Sequence, residues 1–221
     1  ILRKEKYLID NRKISSCYRF SYEFSPKYAE EPIHIEFSFD INSAFQQRVF
    51  AIIGENGVGK TQLITALPLD LAKRRENLFA PQVPLYSKVI AVSTSLYDSF
   101  DVPKNSVGFN YVYCGLACGK KDNKTILAPK ELKLKLLQTT KTINGRERAE
   151  SLKNILSPLY SADIISALFT IQEEKIKVNQ ARLVEIVDYM SSGESSLLFI
   201  FCNIVANIRY DSLILFDEPE T

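Results

Sequence analysis

The sequence is poor in metal-ligating side chains. Its 221 residues include one histidine, His34, and four cysteines. A structural zinc site takes four nitrogen or sulfur ligands. The Cys114 and Cys118 pair has neither a second cysteine pair nor a second histidine to complete such a site. We therefore expect reduced, partly buried thiols rather than zinc.

Long hydrophobic runs and a strong net charge are also missing. The longest apolar stretch, 197–206, is shorter than the roughly 20 residues that cross a bilayer and contains Asn203. Four of the first six residues are charged, and this segment lacks the apolar core of a signal peptide. A net charge of +2 is too small to indicate nucleic acid or a membrane as a binding partner. These absences predict a cytoplasmic protein without a membrane partner.

One glycine-rich segment, 54–61, matches the phosphate-binding loop pattern G-x-x-x-x-G-K-[ST]. Its glycines allow consecutive backbone N–H groups to turn toward phosphate oxygens. Lys60 can reach the β- and γ-phosphates, and the Thr61 hydroxyl can hold Mg²⁺. The pattern predicts an ATP site. Its nucleotide-binding residues are Gly54, Glu55, Asn56, Gly57, Val58, Gly59, Lys60, Thr61 and Gln62.

The flanking sequence supplies the context that a phosphate-binding loop needs. Residues 48–53 are mostly apolar and predict a buried strand leading into the loop. Residues 60–67 predict a helix leaving it, interrupted by Pro68. The amino end of that helix would direct further N–H groups and positive dipole toward the phosphates.

The rest of the chain divides into three parts. Alternating patterns in 18–24 and 33–39 predict antiparallel strands before the loop, and 88–95 predicts a central strand. Residues 101–127 are typical of loops. Residues 129–189 are mostly helical in pattern, divided at Pro158 and at charged stretches.

An apolar run followed by two acids lies at 213–218. A buried strand that ends in carboxylates completes the Mg²⁺ site of many phosphate-loop ATPases. Here Asp217 would help to hold Mg²⁺ and Glu218 would polarise the attacking water. Just upstream, Ser191-Ser192-Gly193-Glu194 precedes a predicted helix over 195–210.

These three elements, in this order, resemble ABC-type ATPases, whose signature motif reads Leu-Ser-Gly-Gly-Gln. On that match Met190 takes the Leu position, Ser191 the Ser, Ser192 and Gly193 the two glycines, and Glu194 the Gln. With the Asp-Glu-Pro-Glu-Thr ending at 217–221, the sequence is similar to the SMC/Rad50-like ATPases of bacterial antiphage defence, of the Septu and retron-associated kinds. The resemblance covers 33–67, 88–100 and 189–221.

The resemblance implies a P-loop NTPase fold. It predicts a mixed α/β sheet with a parallel core, an antiparallel β edge and an inserted helical subdomain. The ABC-type ATPase domain would occupy 1–221, with a β-rich nucleotide-binding lobe at 1–100, a mostly helical insert at 101–188, and the signature motif and acidic strand at 189–221. Related ATPases carry a histidine beyond the acidic strand, which this sequence does not show, so we expect the chain to be part of a longer protein.

The resemblance also implies a mechanism. ATP and Mg²⁺ would bind in one copy, with Lys60 and Glu218 catalytic and with Thr61 and Asp217 holding the metal. Ser191 and Gly193 of a second copy would reach the γ-phosphate, so that ATP joins a head-to-tail homodimer or a higher oligomer. Hydrolysis would open the dimer and control an effector, either a nuclease or a reverse transcriptase complex.

Several alternatives stay open. One is a DNA repair or chromosome-maintenance ATPase, although 101–188 lacks the sustained heptads of a coiled coil. Others are the nucleotide-binding subunit of a transporter, and a scaffold that binds ATP without hydrolysing it. Basic residues at 73–75 and between Lys120 and Lys135 are typical of a solvated face, and contact with nucleic acid is the alternative there.

Overall fold

The computed structural model describes residues 19–27, 29–39, 48–93, 110–120 and 123–217. They form a mixed α/β fold of small sheets and helices. The strands are β1 (Arg19–Phe24), β2 (Ile33–Ser38), β3 (Phe79–Ala80), β4 (Lys88–Ser93), β5 (Tyr111–Gly115), β6 (Ala117–Lys120), β7 (Asn123–Ile126), β8 (Phe169–Gln172), β9 (Lys175–Val178) and β10 (Ser212–Asp217). The helices are α1 (Lys60–Lys73), α2 (Pro129–Gly145), α3 (Ala149–Leu156), α4 (Ala162–Leu168), α5 (Gln180–Val187) and α6 (Ser192–Asn207), with a 3-10 turn at Glu76–Leu78.

Strands β1–β5 and β10 form two three-stranded sheets. The first is antiparallel, with the order β2-β1-β3, and β1 pairs with β2 from Arg19 opposite Ser38 to Phe24 opposite Ile33. The second is parallel, with the order β10-β4-β5. The antiparallel edge and the parallel core are both as the sequence predicts. Strand β4 is buried along nearly its whole length because it lies between two neighbours and beneath helices on both faces.

The core divides into three clusters. One joins the aromatic side chains of β1 to α1 and β4, with Tyr22 and Phe79 stacked at a ring-centroid distance of 5.0 Å. A second lies entirely within 127–206 and packs α2–α5 and the β8–β9 hairpin around α6. A third, including Ile90 and Ile200, joins the parallel sheet to α6. Helix α6 is therefore shared by the sheet and the helical part.

The prediction of a buried strand over 48–53 was wrong. These residues form no strand and are exposed, with Val49 87% and Ile53 92% accessible. Among the described residues no strand pairs with this segment. Val49 and Ile53 are left uncovered, whereas the Phe50 ring packs edge-on against Phe37 and Phe39.

Pro68 does not interrupt α1, contrary to expectation. The helix continues through it to Lys73. An internal proline costs a helix about 3 kcal/mol because it removes one hydrogen bond and crowds the preceding turn. Pro68 is itself buried, and Leu67 and Leu71 on either side are buried in the core. We infer that burial of this face offsets the cost.

Two segments contain strands that the sequence patterns did not predict. The expected loop at 101–127 includes β5, which pairs in parallel with β4, and the β6–β7 hairpin. The expected helical block at 129–189 includes the β8–β9 hairpin. The turn of that hairpin is Glu173-Glu174, with φ of 50° and 63°. Two successive left-handed residues match the twist of paired strands, which explains how a turn without glycine forms here.

Burial of the cysteines is confirmed at the two positions whose side chains the structure describes. Cys114 and Cys202 are buried free thiols, and burial raises the pKa of each to about 12. Within the described ranges, no helix has the length and apolar character needed to cross a membrane.

Candidate nucleotide-binding site

The glycine-rich loop turns at two left-handed residues. Gly57 has φ of +88° and Gly59 has φ of +97°, conformations that glycine adopts without steric cost. Gly59 is also the N-cap of α1, and its carbonyl accepts the first helical bond from Leu63 N at 2.9 Å. The N–H groups of the first turn of α1 therefore have no partner within the helix. They are free to bind an anion at the mouth of the loop.

Lys60 folds back over its own loop. Its Nζ donates to the carbonyl oxygen of Gly54 at 2.7 Å and to that of Glu55 at 2.8 Å. The ammonium group has three donors, and both of these bonds lie at the exposed surface. The charge is thus held across the loop, close to where the pattern predicts the β- and γ-phosphates.

Asp217 reaches the start of α1 from the end of β10. Its Oδ1 lies 3.5 Å from Thr61 Oγ1, although the two residues are 156 positions apart in sequence. Asp217 is 7% exposed and pairs in register with Ser93 at the end of β4. The carboxyl ends of the parallel strands therefore meet the amino end of α1, and this edge of an open α/β sheet is where ligands commonly bind.

The two oxygens suit magnesium. Mg²⁺ prefers oxygen ligands and usually combines one or two protein groups with water and substrate phosphates. Across the described residues, no group of three or more His, Cys, Asp or Glu side chains could hold a metal alone. The oxygens of Thr61 and Asp217 therefore suit a magnesium ion that shares its coordination with a nucleotide, and the binding of that ion stays a prediction.

Gln62 is engaged by the β1–β2 turn. Its Oε1 accepts a hydrogen bond from Lys27 N at 3.1 Å. A Cβ added at Gly59 would lie 3.5 Å from Pro26 Cβ, in ordinary contact with the same turn. The turn therefore packs over the start of α1. The Gln62 side chain thus links the start of α1 to this turn, and its contact with nucleotide stays a prediction.

The signature segment caps α6. Ser191 is the N-cap, and its Oγ accepts from Glu194 N at 3.2 Å. Glu194 Oε2 accepts in return from Ser191 N at 2.8 Å, which completes a capping box. These bonds to Ser191 hold the pKa of the Glu194 carboxyl below its ordinary value. Ser191, Ser192 and Gly193 are all exposed, so the amino end of this 16-residue helix is open to a ligand or a partner.

A tyrosine that the sequence patterns did not single out holds this capped turn. Tyr160 is 8% exposed, and its hydroxyl donates to the Glu194 carbonyl oxygen at 2.6 Å. Burial is the main cause that raises the pKa of Tyr160 to about 12. A lone tyrosine between helices gives no sequence signal of such a contact, because the two residues are 34 positions apart.

A second buried tyrosine holds the far end of α1. The Tyr22 hydroxyl donates to Asp70 Oδ2 at 2.6 Å, and Asp70 Oδ1 lies 3.0 Å from Arg75 Nη1. Asp70 is itself 6% exposed. These contacts connect β1 to the helix that follows the phosphate loop. They also account for Arg75, one of the basic residues that the sequence left open to nucleic acid contact.

The structure brings together some of the predicted site residues. The loop, Lys60, Thr61 and Asp217 converge at one edge of the parallel sheet. Among the described residues, no hydrogen bond joins the loop to Ser191 or Gly193. Glu218, the predicted catalytic acid, lies outside the described residues.

Comparison with known proteins identifies one distant relative. The chain is 25% identical to protein ea59 of Escherichia phage lambda over an alignment of 238 positions. The alignment covers 91% of this chain and 45% of that protein, so the chain spans less than half the length of its relative. No family model matches the chain, and no solved structure matches it.

Proposed function

We propose that this chain is an ATP-binding and ATP-hydrolysing module of the ABC type. The observation that carries the proposal is the approach of Thr61 Oγ1 to Asp217 Oδ1, at 3.5 Å. Two sequence motifs, each of which could arise alone by chance, supply oxygens to one point beside a glycine-rich loop. This convergence is what a site for a metal-bound nucleotide requires.

Each group in the proposed site has its own role in binding or hydrolysis. The N–H groups at the start of α1 bind the phosphates, and Lys60 exchanges its two carbonyl partners for phosphate oxygens. Bound Mg²⁺ would neutralise charge on the β- and γ-phosphates. Thr61 and Asp217 position that ion, and Glu218 orients the attacking water.

The binding step is tested by two lysine variants on the same helix. Lys60→Ala should weaken ATP binding about 30-fold or more, because a charge-assisted bond contributes about 2 kcal/mol or more. Lys73→Ala removes the same charge from the last turn of α1 and should bind ATP normally. Isothermal titration calorimetry with Mg²⁺-ATP measures both. Equal affinities in the two variants would refute the site.

We further propose that two copies close head to tail around ATP. The open, capped amino end of α6 supports this, since its N–H groups and positive dipole suit a γ-phosphate supplied by another copy. Glu218→Gln should bind ATP but not hydrolyse it, and should therefore accumulate as a nucleotide-bound dimer in analytical ultracentrifugation. Hydrolysis at the unmodified rate would remove Glu218 from the mechanism.

The cellular role follows from the resemblance alone. We propose that the ATP-dependent dimer controls an effector, a nuclease or a reverse transcriptase complex, in antiphage defence. Native mass spectrometry of the natural complex, purified with ATP and Mg²⁺, tests this. A mass that includes a second protein or a nucleic acid supports the role, whereas a bare nucleotide-bound homodimer favours a self-contained repair ATPase.

A further inference from the structure

Four cationic side chains gather at the end of the parallel sheet opposite the phosphate loop. We call Lys88, Arg146, Arg148 and Arg209 the basic cluster. Lys88 begins β4, whereas Asp217 ends the adjacent β10. Six-residue strands place these two ends about 17 Å apart. The basic cluster is therefore separate from the candidate nucleotide site.

Two members of the basic cluster contact the carboxyl end of α6. Arg146 Nη1 donates to Ala206 O at 2.6 Å. Arg148 Nη1 donates to Val205 O at 2.8 Å and to Ile208 O at 2.7 Å. Each guanidinium carries five N–H donors, so both retain donors for another ligand. The helix end orients the arginines and cancels part of their charge.

The other two members have no such contacts. In the described part of the chain, the side chains of Lys88 and Arg209 form no ion pair and no hydrogen bond. Glu147 lies between the two arginines in sequence but pairs with Lys175. Burial lowers the pKa of Lys88, and the charges of Arg209 and Arg146 lower it further. The members of the basic cluster are thus close enough to repel one another.

A polar pocket of about 290 Å³ adjoins Arg146. The residues lining it are Gln138, Thr139, Thr142, Arg146, Ala206 and Asn207. Four of these come from α2 or its C-cap. Lys135 precedes Thr139 by one turn on the same helix, and Thr139 Oγ1 donates to the Lys135 carbonyl. Positive charge and polar groups therefore extend from Lys135 to Arg146, about 16 Å along the helix.

We propose that the basic cluster and the adjoining pocket form a second phosphate-binding site, which takes a chain of phosphates. Its length and its number of cations exceed what one inorganic phosphate needs. Guanidinium groups suit phosphate because their planar donors can bind two oxygens at once. Binding would relieve the repulsion among the four cations. The ligand chemistry is shared by inorganic polyphosphate and by a nucleic acid backbone.

The test uses the full chain carrying Lys60→Ala, so that the phosphate loop does not compete for the probe. Tripolyphosphate binding is measured by isothermal titration calorimetry, with and without Arg209→Ala. Loss of one charge-assisted contact should weaken binding about tenfold or more. Arg209 is exposed and its side chain has no hydrogen bond among the described residues, so the variant should fold normally.

Two further variants show whether weaker tripolyphosphate binding depends on the position of Arg209 and on its charge. Arg182→Ala removes the same charge from an exposed position on α5 and should bind tripolyphosphate as the parent chain does. Arg209→Lys keeps the charge and should restore at least part of the affinity. If Arg209→Ala weakens binding no more than Arg182→Ala does, the basic cluster is not the site. The same conclusion follows if the parent chain fails to bind tripolyphosphate.

A second titration distinguishes the two sources of phosphate. A 12-residue oligothymidylate replaces tripolyphosphate at the same ionic strength. Tighter binding than tripolyphosphate, lost in Arg209→Ala, assigns the site to nucleic acid backbone. Binding that is equal or weaker, with the same dependence on Arg209, assigns it to inorganic polyphosphate. If Arg209→Ala binds both oligothymidylate and tripolyphosphate as tightly as the parent chain does, the proposal is wrong.

Discussion

The buried contact between Tyr22 and Asp70 provides a quantitative test of how α1 is held. Tyr22 has no exposed surface, and its hydroxyl lies 2.6 Å from a carboxylate that is also buried. Tyr22→Phe removes only the donor. Asp70 keeps Arg75 as a partner, so the change does not strand an isolated charge. The expected loss is that of one hydrogen bond to a charged group, about 2 kcal/mol of the free energy of unfolding.

The control removes the same atom from a surface residue. Tyr210 is 99% exposed, so Tyr210→Phe should change the free energy of unfolding by less than about 0.5 kcal/mol. Urea unfolding monitored by circular dichroism measures both variants at pH 7. A Tyr22→Phe loss no larger than that of Tyr210→Phe would refute the contact.

The same variant makes a distinct prediction at high pH. Burial, and then the hydrogen bond to Asp70, raise the pKa of Tyr22 well above its ordinary value near 10. The stabilisation is fully present below pH 10 and declines above it, because the unfolded chain loses the Tyr22 proton while the folded chain keeps it. Well above pH 10, the contribution of Tyr22 to the free energy of unfolding falls by about 1.4 kcal/mol per pH unit. The gap between the parent and Tyr22→Phe should therefore narrow by about 1 kcal/mol between pH 10 and 11, and a constant gap would contradict the raised pKa.

Two further substitutions test the candidate site. Gly59→Ala places a side chain at φ of +97°, and it should lower the free energy of unfolding by about 1–2 kcal/mol and weaken ATP binding. The control, Gly145→Ala, lies at the end of α2 with open space around it and should have neither effect. Urea unfolding measures the stability of both variants, and calorimetric titration measures their ATP affinity. Tyr160→Phe removes the donor to the Glu194 carbonyl and should lower the free energy of unfolding by about 1 kcal/mol. It should also reduce ATP-dependent dimerisation without changing the ATP affinity of the monomer. An unchanged dimerisation constant in ultracentrifugation would show that Tyr160 is only structural.

The parts of the fold that could be predicted from sequence are those fixed by local pattern. The alternation in β1 and β2, the apolar run of β4 and the acid at the end of β10 each identify a strand. The glycine pattern likewise identifies the loop. In each case the signal lies within a few residues of the element itself.

The errors arise where distant contacts decide the structure. Residues 48–53 have the composition of a strand but no neighbouring strand among the described residues, and composition does not supply a partner. Pro68 is tolerated because the helix face around it is buried, which local propensity does not register. The turn at Glu173-Glu174 lacks the glycine or asparagine that normally announces a hairpin.

The candidate site shows the same division. Lys60, Thr61 and Asp217 could be predicted because their motifs have fixed spacing around the chemistry. Tyr160 and the basic cluster could not, since their partners come from distant positions and from backbone carbonyls. The bond from Lys27 N to the Gln62 amide oxygen could not be predicted either, because the two residues are 35 positions apart.

The separate core within residues 127–206 has a consequence for the order in which the chain folds. Strands β4 and β10 pair although they are about 120 residues apart in sequence, and closing so long a loop is slow. If the intervening 80 or so residues first fold around their own cluster, the flexible length to be closed falls to roughly 40 residues. The entropy of closure then falls by about 1 kcal/mol. Asp217 would therefore reach Thr61 late in folding, after the helical part has formed.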